Sequence, residues 1–189
     1  MNRLKRIFDV VFACIMLVVL SPVFALIAIS IKLTSKGPVL YWSDRVGQDN
    51  KIFSMPKFRS MHTETPQLAT HLLSGADSYL TPIGALLRRT SLDELPQLMS
   101  VVRGDLSIVG PRPALFNQDD LITMRTELGV HRLVPGITGW AQVNGRDELP
   151  IPVKVRFDHE YLQRQSFLFD LKIICQTVSK VLVGEGVQH

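Results

Sequence analysis

The hydrophobic positions of this chain crowd into one run near the N-terminus. Residues 10–31 read VVFACIMLVVLSPVFALIAISI, with no charged side chain and only Ser21 and Ser30 as polar ones. A straight helix of this length would measure roughly 33 Å, at about 1.5 Å per residue. A bilayer's hydrocarbon core is about 30 Å thick, so the run is long enough to enter or cross it. A helix on the surface of a water-soluble domain carries a polar stripe, and this run has none. It is also too long for the apolar core of a signal peptide. Pro22 sits at its centre, where a missing N–H and a ring clash kink a helix. The neighbouring Ser21 hydroxyl can satisfy a carbonyl left free there. Arg3, Lys5 and Arg6 precede the run, and Lys32 and Lys36 follow it. Basic flanks favour the cytoplasmic side, so both ends ask for the same side. Two topologies stay open: a kinked spanning helix, and a broken helix that enters the bilayer and returns to the face it left.

Past Gly37-Pro38 the pattern changes. Residues 39–45 and 51–59 read as two short strands joined by the turn Gly47-Gln48-Asp49-Asn50. Residues 62–80 are polar and mixed, a loop with a little helix. Helices are predicted over 81–89, 91–103, 114–128, 151–164 and 167–183, while 104–113 is punctuated by Gly and Pro and 135–146 forms an ordered loop around Trp140. The expectation is a mainly helical α+β protein. It divides into an apolar N-terminal unit, residues 1–36, and a more polar unit, residues 37–189. The final helix, FLFDLKIICQTVSKVLV, suits a core helix or an amphipathic helix in the membrane interface with Lys172 and Lys180 reaching for headgroups.

Composition narrows the partners only a little. Twenty-one Lys and Arg against 17 Asp and Glu leave a net charge of +4. That is compatible with an anionic membrane, a phosphate-bearing substrate or nucleic acid. Nucleic acid fits poorly, because there is no dense basic run and no binding motif. Cys14 and Cys175 stand apart in apolar surroundings, without a CxxC pair or a Cys/His cluster, so neither a disulfide framework nor a zinc site is expected. The five histidines are scattered, and neither a Walker A pattern nor GxGxxG is present.

Candidate chemistry lies in TSLDELPQL, residues 90–98. The ordinary reading of Asp93-Glu94 is a helix start, with Ser91 and Glu94 at capping-box spacing. Pro96 strains that reading, because it would fall just past the first turn. The other reading is chemical. Neighbouring carboxylates can hold magnesium, or offer one nucleophile beside one metal ligand, and an ionised aspartate is a credible nucleophile towards phosphorus. A set of basic residues accompanies the pair. Arg88 and Arg89 precede it, Lys57 and Arg59 end the second strand, Arg112 lies in VGPRP, and Arg146 closes NGR. Each alone is a solvated surface charge, yet several sit beside Gly or Pro in loops, where phosphate-binding arginines are often presented.

These segments together resemble the bacterial sugar transferases, the monotopic phosphoglycosyl transferases that begin glycan assembly on a polyprenyl phosphate. The resemblance rests on KRIFDVVFA (5–13), Ser21-Pro22, KFRSM (57–61), TSLDELPQL (90–98), GDLSIVGPRP (104–113) and PGITGWAQVNGR (135–146), in the family's order along nearly the whole chain. The length resembles the small members that consist of the catalytic unit alone. Val46 in DRVGQD departs from the proline of many relatives, which should alter a turn and leave the chemistry alone.

The resemblance implies a re-entrant helix broken at Ser21-Pro22, with the catalytic domain on the cytoplasmic face of a bacterial inner membrane. It implies magnesium dependence, with Asp93 as nucleophile and Glu94 helping to hold the metal. A UDP-sugar would be the donor and polyprenyl phosphate the acceptor, with membrane lipids and downstream glycosyltransferases as further partners. Arg88, Arg112, Lys57 and Arg59 would bind substrate phosphates, and Arg146 the donor. Two rivals are a membrane-anchored scaffold for glycan-assembly enzymes and a membrane-attached phosphatase or phosphodiesterase. The residues do not select the sugar.

Overall fold

The computed structural model describes residues 3–65, 76–145 and 149–183. The chain opens with helix α1 (Arg3–Val19), which meets α2 (Ser21–Thr34) at a bend of 61°. The bend follows from the local sequence. Pro22 has no N–H to give to the carbonyl of Val18, and the Ser21 hydroxyl donates to that carbonyl at 2.7 Å instead. Pro22 lies in the first turn of α2, where its missing N–H costs nothing. No single helix among the described residues is long and apolar enough to cross a membrane, although the bent pair passes that test together.

One stripe of α1 (Lys5, Asp9 and Ala13) is buried, and α1 packs on the helix and strand that follow the acidic pair. Ile7, Val11, Ile15 and Val18 of α1 and Leu26, Ile29 and Leu33 of α2 remain exposed. Polar residues therefore fix the inner face of α1, which sequence patterning did not anticipate. Lys5 donates to Asp170 at 2.6 Å, and Arg6 donates to the carbonyls of Val101 and Val102 at 2.6 and 2.9 Å. Asp9 accepts from the Ser107 hydroxyl at 2.7 Å and from the Ile108 N–H at 3.3 Å. Lys5 and Arg6 thus belong to the folded protein as well as to the basic flank.

Strands β1 (Leu40–Val46) and β2 (Ile52–Phe58) form the expected antiparallel hairpin, in a register running from Leu40 opposite Phe58 to Val46 opposite Ile52. The turn between them holds Asp49 and Asn50 at φ 54° and 59°, the left-handed region that these two residue types tolerate better than most. Next come α3 (Gly84–Arg89), a single 3-10 turn over Leu92–Glu94, and α4 (Gln97–Arg103). The helix expected over 91–103 is therefore in two pieces. Pro96 can donate no helical hydrogen bond, so regular helix starts only after it.

The Gly/Pro-rich motifs contain a parallel pair that periodicity did not reveal. Strand β3 (Ser107–Val109) is followed by α5 (Asp119–Glu127), and β4 (Gly136–Thr138) then returns to lie beside β3. Helix α5 begins later than residue 114 because Gln118 turns its side chain back to accept from the Leu115 N–H at 2.9 Å. The parallel pair explains two of its glycines. A Cβ on Gly136 would stand 2.1 Å from the Gly110 nitrogen, and one on Gly139 would stand 2.1 Å from the Gly110 carbonyl oxygen. VGPRP and PGITG are two backbones in contact.

The chain ends with α6 (Trp140–Val143), α7 (Ile151–Arg164) and α8 (Phe167–Val183). The main core joins Ala13 of α1, Leu98 and Val101 of α4, Val109 of β3, Tyr161 of α7, and Phe169 and Ile173 of α8. A second cluster joins Ile27 and Ile31 of α2 to Phe58 and Leu87. The final helix buries Phe169 and Ile173 in the core, while Leu168 and Val178 face outwards.

Candidate active site

Three segments meet at the acidic pair. The 3-10 turn carries Asp93 and Glu94, the end of β2 supplies Lys57, and the segment after β3 supplies Arg112. Ser91 enters the turn at φ 55° and forms no side-chain cap, and its N–H donates to the Arg88 carbonyl at 3.0 Å. The capping-box reading therefore fails. The Glu94 carboxylate points into a basic pocket, where Oε1 accepts from Lys57 Nζ and from Arg112 Nη2, each at 2.8 Å. Its Oε2 meets Arg112 Nη1 at 3.4 Å.

The two carboxylates have opposite electrostatic fates. Burial alone would raise the Glu94 carboxyl, but Arg112 and Lys57 outweigh it and hold the group well below the usual carboxylate range. Glu94 is a fixed anion. Burial raises the Asp93 carboxyl above its ordinary value, the charge of Glu94 adds to this, and Lys57, Arg88 and Arg112 oppose it only in part. Asp93 is 8% exposed, and its oxygens accept no hydrogen bond among the described residues. A buried carboxylate is normally tied down by donors. Among the described residues this one has no such donor, and the charges of Lys57, Arg88 and Arg112 surround it instead.

The other candidate residues are distributed around this centre. Arg88 contributes charge to Asp93 and approaches the Met61 sulfur at 3.5 Å. Arg59 is turned to the end of α2. It is 3% exposed, and its guanidinium donates to the Lys36 carbonyl and, at 3.0 Å, to the Ser35 carbonyl. Arg146 lies outside the described residues. Ser21 and Pro22 form the helix break. Sequence reasoning overlooked Arg125 of α5 and Asp158 of α7, two charges in helices that periodicity treats as solvated. Asp158 is 1% exposed, and Arg125 reaches the main chain of Arg112.

Residues 1–184 match a protein family described as bacterial sugar transferase. The chain belongs to that family. It is 42% identical over 186 residues to the uncharacterized sugar transferase EpsL of Bacillus subtilis (strain 168), covering 98% of this chain and 91% of that relative. It is also 42% identical over 194 residues to the UDP-glucose:undecaprenyl-phosphate glucose-1-phosphate transferase of Escherichia coli (strain K12), covering 98% of this chain and 42% of the relative. A third relative is the UDP-N-acetylgalactosamine-undecaprenyl-phosphate N-acetylgalactosaminephosphotransferase of Aeromonas hydrophila, 34% identical over 98% of this chain and 45% of its own length. This sugar transferase thus spans nearly all of the first relative and less than half of the other two.

The Asp93 and Glu94 carboxylates are of the donor type that magnesium takes. Magnesium commonly binds through one or two carboxylates, with substrate phosphates and water completing its shell. Among the described residues the Glu94 Oε2 contact with Arg112 is long, at 3.4 Å, and no hydrogen bond reaches the Asp93 carboxylate, which leaves carboxylate oxygens for such a shell. Among the described residues no group of three or more His, Cys, Asp or Glu side chains gathers to hold a metal alone.

Proposed function

We propose that this sugar transferase moves a sugar phosphate from a UDP-sugar to polyprenyl phosphate in two displacements at one phosphorus. In the first, an Asp93 oxygen attacks the phosphorus that bears the sugar. The bond to the bridging oxygen breaks, and UMP leaves. In the second, a phosphate oxygen of polyprenyl phosphate attacks the same phosphorus, Asp93 departs as carboxylate, and the product is a polyprenyl diphosphate sugar. The observation that carries this reading is a buried aspartate amid the charges of Lys57, Arg88 and Arg112, beside a glutamate held between Lys57 and Arg112. Phosphoryl transfer needs mainly positioning and charge neutralisation, and Arg88, Arg112 and Lys57 supply positive charge around the attacking group. Magnesium held by Glu94 would, when bound, neutralise charge on the diphosphate. The undecaprenyl-phosphate substrates named for two relatives support the choice of acceptor.

The test is UMP release by the purified protein with polyprenyl phosphate and magnesium, across a panel that begins with UDP-glucose and UDP-N-acetylgalactosamine. Absence of UMP with every donor rejects the proposal. Release of free phosphate or sugar phosphate to water, without a lipid acceptor, would favour the hydrolase instead. The free enzyme's kcat/KM reports the ionisation of its essential groups. Because Asp93 is raised and must be ionised to attack, the acidic limb of that profile is expected above the ordinary aspartate range. A limb at or below that range would remove Asp93 from the role.

The same reading makes residues 1–36 a membrane-inserted re-entrant unit and 37–189 a cytoplasmic catalytic domain at a bacterial inner membrane. The 61° bend and the exposed apolar faces of α1 and α2 support it. Its test is sided labelling. Cys14 and Cys175 are exposed and must first be replaced by alanine. Cysteines placed at Asn2 and Lys36 are then expected to label from the same side of sealed vesicles, and labelling from opposite sides would establish a spanning helix.

A further inference from the structure

We propose that Arg125 and Asp158 are positioning residues that set the place of Arg112 at the active site. The inference rests on the reading of Arg112 as a phosphate-binding residue of the transfer reaction. Its basis is the chemistry of Gly110-Pro111-Arg112-Pro113. Two of these four residues are prolines and lack an N–H, so the segment cannot be held as an ordinary strand is held. Its position has to be fixed largely through its carbonyl oxygens. The Pro111 carbonyl accepts from the Gly136 N–H at 2.9 Å, and the Gly110 N–H donates to Thr138 at 2.8 Å. The Pro113 carbonyl meets Arg45 Nη1 at 3.4 Å. The carbonyl between them, that of Arg112 itself, accepts from Arg125 Nη1 at 2.8 Å.

Arg125 is in turn oriented by Asp158. Its Nε and Nη2 donate to Asp158 Oδ2 at 2.9 and 2.6 Å, which uses one edge of the guanidinium and aims the remaining nitrogen at the Arg112 main chain. Both partners are buried, and they join α5 to α7. A buried ion pair is a poor source of net stability, since well-packed apolar residues of similar volume often serve as well. What apolar residues cannot do is donate to a carbonyl. The path therefore runs from Asp158 to Arg125, to the Arg112 main chain, and through its side chain to Glu94 Oε1. Each step is a hydrogen bond, and the chain ends beside Asp93.

The experiment is a double-mutant cycle on the full chain, read by steady-state UMP release with the best donor of the panel, polyprenyl phosphate and magnesium. Arg125→Lys keeps the charge but cannot hold Asp158 and the Arg112 carbonyl in the same fork geometry. It is expected to lower kcat/KM by about 10–100-fold, the effect of a small displacement of a positioned group. In an Arg112→Ala background the same change is expected to cost less than about 3-fold, because the group it positions is gone. The apolar double variant Arg125→Met/Asp158→Leu is expected to retain a wild-type unfolding midpoint while showing the same loss of activity. Losses that multiply across the cycle, or a folded apolar double variant with wild-type kcat/KM, would overturn the positioning role. If the apolar double variant does not fold, the Arg125→Lys cycle decides alone. Full activity of Arg112→Ala would overturn the reading of Arg112 itself, and the positioning role with it.

Discussion

Asp93→Asn should retain its fold and lose UMP release by at least about 10³-fold, as expected when the nucleophile of a covalent mechanism is removed. The two halves of this result have one cause. Among the described residues no hydrogen bond to the Asp93 carboxylate is lost with the amide. Burial raises its carboxyl above the ordinary value, which makes the ionised form a cost to the folded state. The sign follows from linkage. A carboxyl raised on folding binds its proton more tightly in the native state, so its ionisation lowers stability as pH rises from the unfolded pKa through the folded one. A neutral amide avoids that penalty, and the unfolding midpoint of Asp93→Asn at neutral pH should equal or exceed that of the wild type. Its geometry changes little, but it cannot attack phosphorus. With donor alone, the wild-type Asp93 peptide should gain the mass of a sugar phosphate, and the variant peptide should not. A variant that kept more than about a tenth of wild-type turnover would reject the covalent role. A membrane scaffold makes the opposite prediction, since the substitution would leave its function in place.

The sequence made some parts of this arrangement readable and hid others. The hairpin of β1 and β2 could be read because strand alternation and a turn signal agree over adjacent residues. The helix break could be read because Pro22 acts through its own missing N–H. The parallel pair of β3 and β4 could not. Each strand is three residues long, and their contact depends on glycines that lie 26 residues apart (Gly110 and Gly136). Periodicity has no access to such a contact. The acidic pair was visible as a motif, but the capping-box alternative could be dismissed only once the Glu94 side chain was seen between Lys57 and Arg112. Arg59 shows the reverse limit. It lies two residues from Lys57 in sequence, yet alternate residues of an extended segment need not share partners. One cation reaches Glu94, and the other reaches the end of α2. Lys5, Asp9, Arg125 and Asp158 escaped for a common reason. A charged residue in a helix reads as solvated, and only tertiary contacts reveal that it is buried.

Lys5→Met is expected to cost about 3–5 kcal/mol of stability, the price of leaving one half of a buried ion pair behind. Asp170 is buried in α8, and its Oδ2 accepts from Lys5 Nζ at 2.6 Å. Its Oδ1 accepts from the Tyr161 hydroxyl at 2.7 Å. Burial, reinforced by the Asp170 charge, raises the Tyr161 hydroxyl far above its ordinary value, so it stays a donor at any pH of interest. Without Lys5, Asp170 loses its ionic partner and keeps the Tyr161 hydroxyl as a neutral donor. In a chain of this size the loss corresponds to a fall in midpoint on the order of 10 °C, measurable by thermal unfolding in detergent. Adding Asp170→Asn to Lys5→Met removes the stranded charge and keeps an acceptor for Tyr161, so the double variant should recover most of the loss. A midpoint for Lys5→Met within about 1 °C of the wild type would show that the pair contributes little. The functional consequence follows from where the pair sits. It ties the first turn of α1 to the first turn of α8, and so helps hold the start of the apolar segment against the rest of the fold. If that segment keeps Asp93 near the interface, Lys5→Met/Asp170→Asn should regain stability without regaining all turnover on a membrane-embedded acceptor, because the amide restores the packing but not the ionic tie.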